Sequence, residues 1–357
     1  MSSSFLRNRK FLLTLGAAVA GGGYFYYQNR TNCFFNQKWE KIGRISHLYI
    51  YPVKSCSHIE VSQIQATQMG ATLENNLGDR VFMVINENKE LCTARSFPRL
   101  VLIKPSYDEN YNTLILSANG FSDYQIDLDM LRNDDERKDI KNATIWESKV
   151  NVIDLGDAAS EWITKVCDVG SSGKLRLVYY PETKCVRKLR EKHKIYKEMS
   201  EEHIGALQDA TSFMLLNNAS LDDLNTKLEK PVDPTQFRPN IVIEDAKPYD
   251  EDNWKFIKIG DKTVMKTLKP CTRGTFSAVD QKTGEHSKDG EPLKTLNTYR
   301  KIDGLPVMGV NVGVFQSGEI KIGDDVFVSY KKDDKTSNSD TKGKFSSYIF
   351  LNDNVKK

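Results

Sequence analysis

From Ile42 onward the apolar residues of this chain recur mostly at every second position, in short runs broken by polar turns, the period of half-buried strands. "RISHLYIYPV" (Arg44 to Val53) is β-branched and aromatic and stops at "KSCS". "DRVFMVINENKELCTARS" predicts two strands around a polar turn at Asn86 to Lys89. Further strand pairs are expected in "NTLILSANG" and "SYIF", and in "FIKIGDKTVMKTL" and "GEIKIGDDVFVSY", where Gly260-Asp261 and Gly323-Asp324 interrupt the alternation. Two stretches switch to the helical period. "GDAASEWITKVCDV" puts Ala159, Trp162, Ile163 and Val166 on one face. "SLDDLNTKLEK" opens on Ser220 as N-cap with Asp223 three residues later, and turns Leu221, Leu224 and Leu228 inward.

These elements predict an α+β, strand-rich fold. No strand–helix–strand alternation points to a parallel sheet. "GSSG" (Gly170 to Gly173) is the natural division between a first α/β region and a second strand-rich one. Gly173-Lys174 does not complete a Walker A loop, because Asp168 stands where that motif needs glycine, and GxSxG and GxGxxG are missing.

The N-terminus breaks the pattern. Arg7, Arg9 and Lys10 precede an uncharged run from Phe11 to Tyr27, and no acid appears before Glu40. As a helix the run reaches roughly 25 Å, with tyrosines where interface aromatics prefer to lie. Three readings are open: an uncleaved transmembrane anchor, a signal cleaved near "AVAG", and a buried helix. Gly21, Gly22 and Gly23 weaken the last, and the cysteine pattern speaks against secretion. The expected order is a basic, mitochondrial-type targeting segment (1–10), an anchor (11–27) and a linker (28–42). Beyond Lys331 "KKDDKTSNSDTKGK" is polar and charged, so 331–357 is expected to be mostly disordered, with "SSYIFL" a late docking strand.

A chain of 357 residues with 39% hydrophobic content holds about two domains. Its 51 basic and 48 acidic side chains leave a net charge of +3, too little to single out nucleic acid or membrane. Local charge is less even. Lys184, Arg187, Lys188, Arg190, Lys192, Lys194 and Lys197 face one acid, Glu191, as either a solvated helix face or a steering patch. The aromatic interleaving of a nucleic-acid platform is absent there. The six cysteines are unevenly spaced without a Cys-x-x-Cys pair, which reads as a reducing compartment, and the five histidines lack zinc-site spacing.

Five phrases in order, "IYPVKSC", "LGDRVFMVIN", "TARSFPRLVLI", "FRPNIVI" and "PCTRGTFSAVDQKTG", resemble the mitochondrial amidoxime-reducing component family from about residue 43 to 330. Its members are MOSC-domain molybdenum-cofactor enzymes of the outer mitochondrial membrane with an N-terminal anchor. The resemblance implies a β-rich N-terminal domain (43–170) packed on a MOSC β-barrel (171–330), with molybdopterin in the crevice between. It also implies reduction of amidoximes and hydroxylamines with electrons from NADH through cytochrome b5 reductase and cytochrome b5. The soluble part would face the cytosol. An acidic cytochrome b5 would be steered by the Lys184 to Lys197 cations.

On matched positions, the resemblance assigns cofactor contacts to Lys54, Ser55, Arg80, Thr211, Arg238, Thr272 and Arg273. Guanidinium forks, an ammonium and short hydroxyls suit a pterin phosphate. Asp209 is the matched carboxylate, a catalytic candidate or a loop cap, and Ala210 stands where a second hydroxyl is usual. The family loop reads Cys-x-Arg-Cys, its second cysteine binding the metal; here Gly274 holds that place and Cys271 matches the first. Asn311 replaces an aromatic. Cys271 as a substitute metal ligand and catalytic residue, metal held by the cofactor dithiolene alone with water or a carboxylate nearby, and a pocket that has lost its oxidoreduction all remain open. The expectation is a molybdenum oxidoreductase; the alternative is a non-catalytic cofactor-binding or regulatory protein.

Overall fold

Seven strands close into a barrel. In the order Phe213–Asn217, Ile241–Glu244, Glu40–Ile50, Asp325–Tyr330, Trp254–Ile259, Thr263–Thr272 and Leu305–Gln316, each pairs with the next, and the last returns to the first. The computed structural model describes residues 37–73, 78–133, 138–170 and 173–331. The chain divides into two units, Met1–Glu40 and Lys41–Lys357, and the barrel core and the site lie in the second. The expected basic segment, anchor, most of the linker, "SYIF" and the tail beyond residue 331 lie outside the described residues. Among the described residues no helix is long and apolar enough to cross a membrane. Residues 40–42, expected in the linker, already belong to the first barrel strand.

Alternation produces the barrel interior. Ile45, Leu215, Ile243, Ile257, Val312 and Val328 are all fully buried in one cluster, and burying each such side chain is worth about 1.5–3 kcal/mol. A second sheet runs Lys138–Ile145, Ser148–Asp154, Arg176–Tyr179, Phe82–Ile85 and Leu91–Cys92. The helix Gly156–Cys167 buries Ala159, Ile163 and Val166, as its period predicts. The expected hairpin at Asn86 to Lys89 is present, closed by Asn86 N–H donating to Glu90 O at 3.0 Å.

Three expectations are corrected. Phe213–Asn217 and Ile241–Glu244 run parallel across the helix Asn218–Asn225, a strand–helix–strand unit that the sequence concealed behind a long connection. "GEIKIGDDVFVSY" is not a strand pair: Gly318–Lys321 joins Gln63–Thr67, whereas Asp325–Tyr330 fills the barrel beside Trp254–Ile259. Ser220 is not an N-cap. Asn217 caps the helix, accepting from Ala219 N–H at 3.1 Å, and Ser220 sits inside it, fully buried.

Ser220 instead serves a buried acid. Its hydroxyl lies 2.8 and 2.9 Å from the two Glu251 carboxylate oxygens, and Asn217 Nδ2 donates to the same group at 2.9 Å. Glu251 is 0% exposed, and burial raises its pKa from 4.5 to about 7 against the pull of those donors. Between 4.5 and about 7 the folded chain keeps a proton that the unfolded chain has released, so stability is greatest below the window and falls as pH rises through it. Glu251→Gln, which stays neutral throughout, should flatten this slope by on the order of 3 kcal/mol. Denaturant midpoints at pH 4.5 and 8 that shift equally in both proteins would contradict the assignment.

Candidate functional site

Tyr51 marks the point where the first barrel strand leaves the barrel for the second sheet. Beyond it Phe82 N–H donates to Pro52 O at 3.0 Å and Lys54 N–H to Phe82 O at 2.8 Å. Tyr51 N–H donates to Asp79 Oδ1 at 2.8 Å, and Arg80 N–H to Tyr51 O at 2.7 Å. The Tyr51 ring is fully buried and carries two guanidiniums, Arg238 at 4.1 Å and Arg80 at 4.4 Å from its centroid.

Two of the matched cations, Arg80 and Arg238, meet around this ring. Arg80 Nη1 donates to the buried Asp79 carboxylate and Nη2 to Arg238 O at 3.2 Å. Arg238 Nη1 donates to Cys56 O at 2.6 Å. Burial and the neighbouring Arg80 charge both lower the Arg238 pKa. Arg273 is anchored differently: its Nε and Nη2 donate to Met308 O at 3.1 and 2.6 Å, and its Nη1 to Phe237 O at 2.9 Å. It pins the loop to the barrel, with its nitrogens already engaged. Ser55, Arg80 and Arg238 have φ of 71, 53 and 55°, and non-glycine residues held there cost of order 1–3 kcal/mol each, as strained sites do.

Lys54 is 5% exposed, and its ammonium donates to Leu207 O at 2.7 Å and to the Asp209 carboxylate. Burial lowers its pKa to about 8, partly offset by Asp209. Asp209 also accepts from Trp146 Nε1 at 3.1 Å and lies 3.5 Å from Arg95 Nη2. Its side chain is 45% exposed; what burial there is would raise its pKa, but the Lys54 and Arg95 charges hold it well below the usual carboxylate range. Thr211 is 4% exposed, with Oγ1 2.8 Å from Phe213 O and 3.0 Å from Asn311 Oδ1, so its one proton is shared between two protein acceptors. Thr272 ends the strand Thr263–Thr272, half-buried opposite Val307.

Cys271 packs against the apolar cluster of Met214, Phe237, Leu296 and Met308. Gly274 is exposed, and a Cβ added there meets nothing within 4 Å. Among the described residues no three His, Cys, Asp or Glu side chains converge to hold a metal. The geometry therefore brings Lys54, Ser55, Arg80 and Arg238 together, places Asp209 against Lys54, and turns Arg273 and Thr211 to internal bonds.

The sequence reading missed Tyr51, Asp79, Arg95, Trp146 and Phe276. Asp79 accepts from Arg80, and the other four complete a ladder in which rings alternate with guanidiniums: Arg190 to Trp146 4.7 Å, Trp146 to Arg95 5.3 Å, Arg95 to Phe276 5.9 Å, Phe276 to Arg238 5.2 Å, and then Tyr51 and Arg80. Five of the seven lie inside the quoted phrases, yet an aromatic there reads as core until its neighbours are known. The basic segment is not a helix; only Glu191–His193 forms a short 3-10 turn. Arg187 points inward, its Nη1 donating to the carbonyls of Ala206 and Gln208 at 2.9 and 2.8 Å, and Arg190 reaches Glu147 at 3.3 Å.

A seven-stranded barrel beside a second strand-rich layer, with cations gathered where they meet, is the class of MOSC-domain proteins. The chain matches the MOSC N-terminal beta barrel domain over residues 42–169 and the MOSC domain over 202–327. It is 35% identical over 297 residues to the Homo sapiens protein named mitochondrial amidoxime-reducing component 1, covering 81% of this chain and 84% of that one. The Mus musculus component 1 is 33% identical, covering 87% and 89%, and the Bos taurus component 2 is 31% identical, covering 82% and 84%. The chain belongs to the mitochondrial amidoxime-reducing component family.

Asp79 is the keystone of the cluster. It is 1% exposed and takes bonds from Tyr51 N–H, Arg80 and Gln208 Nε2. Removing one partner of a buried pair strands the other, so Asp79→Ala should cost about 3–5 kcal/mol in denaturant unfolding. A loss below about 1 kcal/mol, the range of an exposed pair, would show that Arg80 finds another acceptor.

Proposed function

We propose that the protein binds molybdopterin in this crevice and reduces N-hydroxylated compounds, amidoximes and hydroxylamines, to amidines and amines. The observation that carries the reading is the surplus of desolvated positive charge in a member of this family. Arg80 and Arg238 converge on the Tyr51 ring, the buried Lys54 ammonium feels the Arg80 charge, and the Tyr51 hydroxyl and Arg238 Nη2 are buried without a protein partner. Such orphans fit the phosphate of an anionic cofactor. When bound, the cofactor supplies the two-electron redox centre, and the substrate N–OH oxygen leaves as water with two protons.

The chain's own residues divide the remaining work. Lys54, Ser55, Arg80 and Arg238 would hold the anionic end, Arg273 fixes the loop that Thr272 and Gly274 occupy, and Thr211 donates to Asn311, which in turn donates to Pro270 O on that loop's strand. Asp209 stays ionised and orients Lys54 and Trp146, while Lys54, with a pKa lowered to about 8, can release a proton near neutral pH. Electrons would come from NADH through cytochrome b5 reductase and cytochrome b5, met by the exposed Lys184, Lys188, Lys192 and Lys197. The proposed location is the outer mitochondrial membrane, single-pass, with this unit in the cytosol.

Gly274 favours a second reading, a non-catalytic MOSC protein that holds the cofactor or docks partners, because glycine offers no thiolate. Cys271 stands against an apolar cluster rather than as a ready substitute. Metal analysis of the purified protein, with benzamidoxime reduction in a reconstituted NADH chain, tests both. Metal with turnover supports the reductase, cofactor without turnover the second reading, and a protein that never takes up cofactor defeats each. Gly274→Cys should fold normally, since the added side chain meets open space at an extended φ of −131°. It should raise turnover at least about tenfold; a cofactor-loaded variant without gain would show that the missing thiolate is not the limit.

A further inference from the structure

Arg95 is less tied to the protein than the buried guanidiniums of the crevice and is open to solvent. Arg187 and Arg273 donate to backbone carbonyls, Arg80 to Asp79, and Arg238 to Cys56 O. Arg95 has one long side-chain bond, 3.5 Å to Asp209, and among the described residues no other protein acceptor for its guanidinium. It is also 35% exposed, so those donors are reachable from solvent. Its position is nevertheless fixed, because the guanidinium lies 5.3 Å from the Trp146 ring and 5.9 Å from the Phe276 ring. Phe276 follows Gly274 by two residues, and the turn carrying it is clamped by Gln236 Nε2, which donates to Ser277 O at 2.7 Å and Val279 O at 2.8 Å. Trp146 is clamped by its bond to Asp209.

A guanidinium stacked on rings keeps its N–H groups in its own plane and offers them as a rigid fork to a planar oxyanion. The surrounding charge favours an anion too: Lys54, Arg95, Arg190 and Lys192 act on this neighbourhood against Asp209 and Glu147, four cations to two carboxylates. One of those carboxylates is committed to Lys54, and the other accepts from Arg190 and from Glu191 N–H. Arg95 and Arg190 are both held against rings, and Arg95 is the more open to solvent, 35% exposed against 16%.

We infer that Arg95, steadied by Trp146 and Phe276, is a recognition residue for a carboxylate carried by the substrate, so that the site prefers acidic N-hydroxylated compounds over neutral ones. The inference rests on the reductase reading for its substrate class, but binding tests it without turnover. The test is calorimetric titration of the full-length, cofactor-loaded protein with benzamidoxime and with 4-carboxybenzamidoxime. The wild type should bind the carboxylated compound about tenfold or more tightly, the scale of one charge-assisted fork. Arg95→Gln should collapse the ratio of the two affinities towards one, and Arg95→Lys should restore part of it as a charge without a fork. Melting temperatures close to wild type confirm that both variants fold. Equal affinities in the wild type, a ratio kept by Arg95→Gln, or no binding of either compound would overturn the inference. A preference in binding with no turnover of either compound would retire the reductase reading and leave the recognition role standing.

Discussion

Positive charge is concentrated in this crevice beyond what its carboxylates neutralise, and the arrangement of the surrounding chain follows from that. A buried guanidinium or ammonium must recover its lost hydration from fixed dipoles, rings or anions. All three means appear. Arg187 and Arg273 take carbonyl groups, Arg80 and Lys54 take Asp79 and Asp209, and Tyr51, Trp146 and Phe276 offer ring faces. These devices reach across the molecule, since Tyr51 directly follows the first barrel strand, Asp79 and Arg80 come from the turn before the second sheet, and Arg238 from the connection within the parallel pair. The barrel and the second sheet are held in register at this point by the same bonds that keep the cations in place.

Much of the local structure was legible because it depends on short-range periodicity. Alternation located the strand starting before Arg44, the Asn86 hairpin and the Trp254–Ile259 and Thr263–Thr272 pair, and the helical stripe of Ala159, Ile163 and Val166 was correct. Closure was not legible. The pairing of Phe213 with Val312 joins residues 99 positions apart, and nothing in either segment names its partner. The parallel pair was missed for the same reason, and Ser220 because a serine beside an apolar run looks like a cap unless a buried acid is known to lie above it.

The site divides along a similar line. Residues carried by motif, Lys54, Ser55, Arg80 and Arg238, do come together, because the phrases that contain them are turns at strand ends facing one seam. Arg273 and Thr211 lie at the same seam but are occupied by Met308, Phe237 and Asn311. That distinction needs hydrogen-bond partners and could not come from letters alone. Trp146 and Arg95 were invisible as site residues: one is the turn of an ordinary hairpin, the other a charged residue in an irregular loop, and their contact at 5.3 Å is made by the folded chain and not by any spacing in sequence.

Grip and ligation are separable functions here, and Gly274 bears on only one. The guanidiniums that would hold a phosphate sit on the Tyr51 ring, whereas the loop position that lacks a thiol is exposed and carries no part of that cluster. Cations kept out of water weaken an empty fold, and apolar replacements for a buried ionic group often stabilise by about 1–4 kcal/mol. An anion that binds only the folded chain offsets that load through mass action. A crevice built this way is therefore most stable when occupied, with or without a protein thiolate. On the proposed reading, the glycine would change what a bound group can do far more than whether it binds.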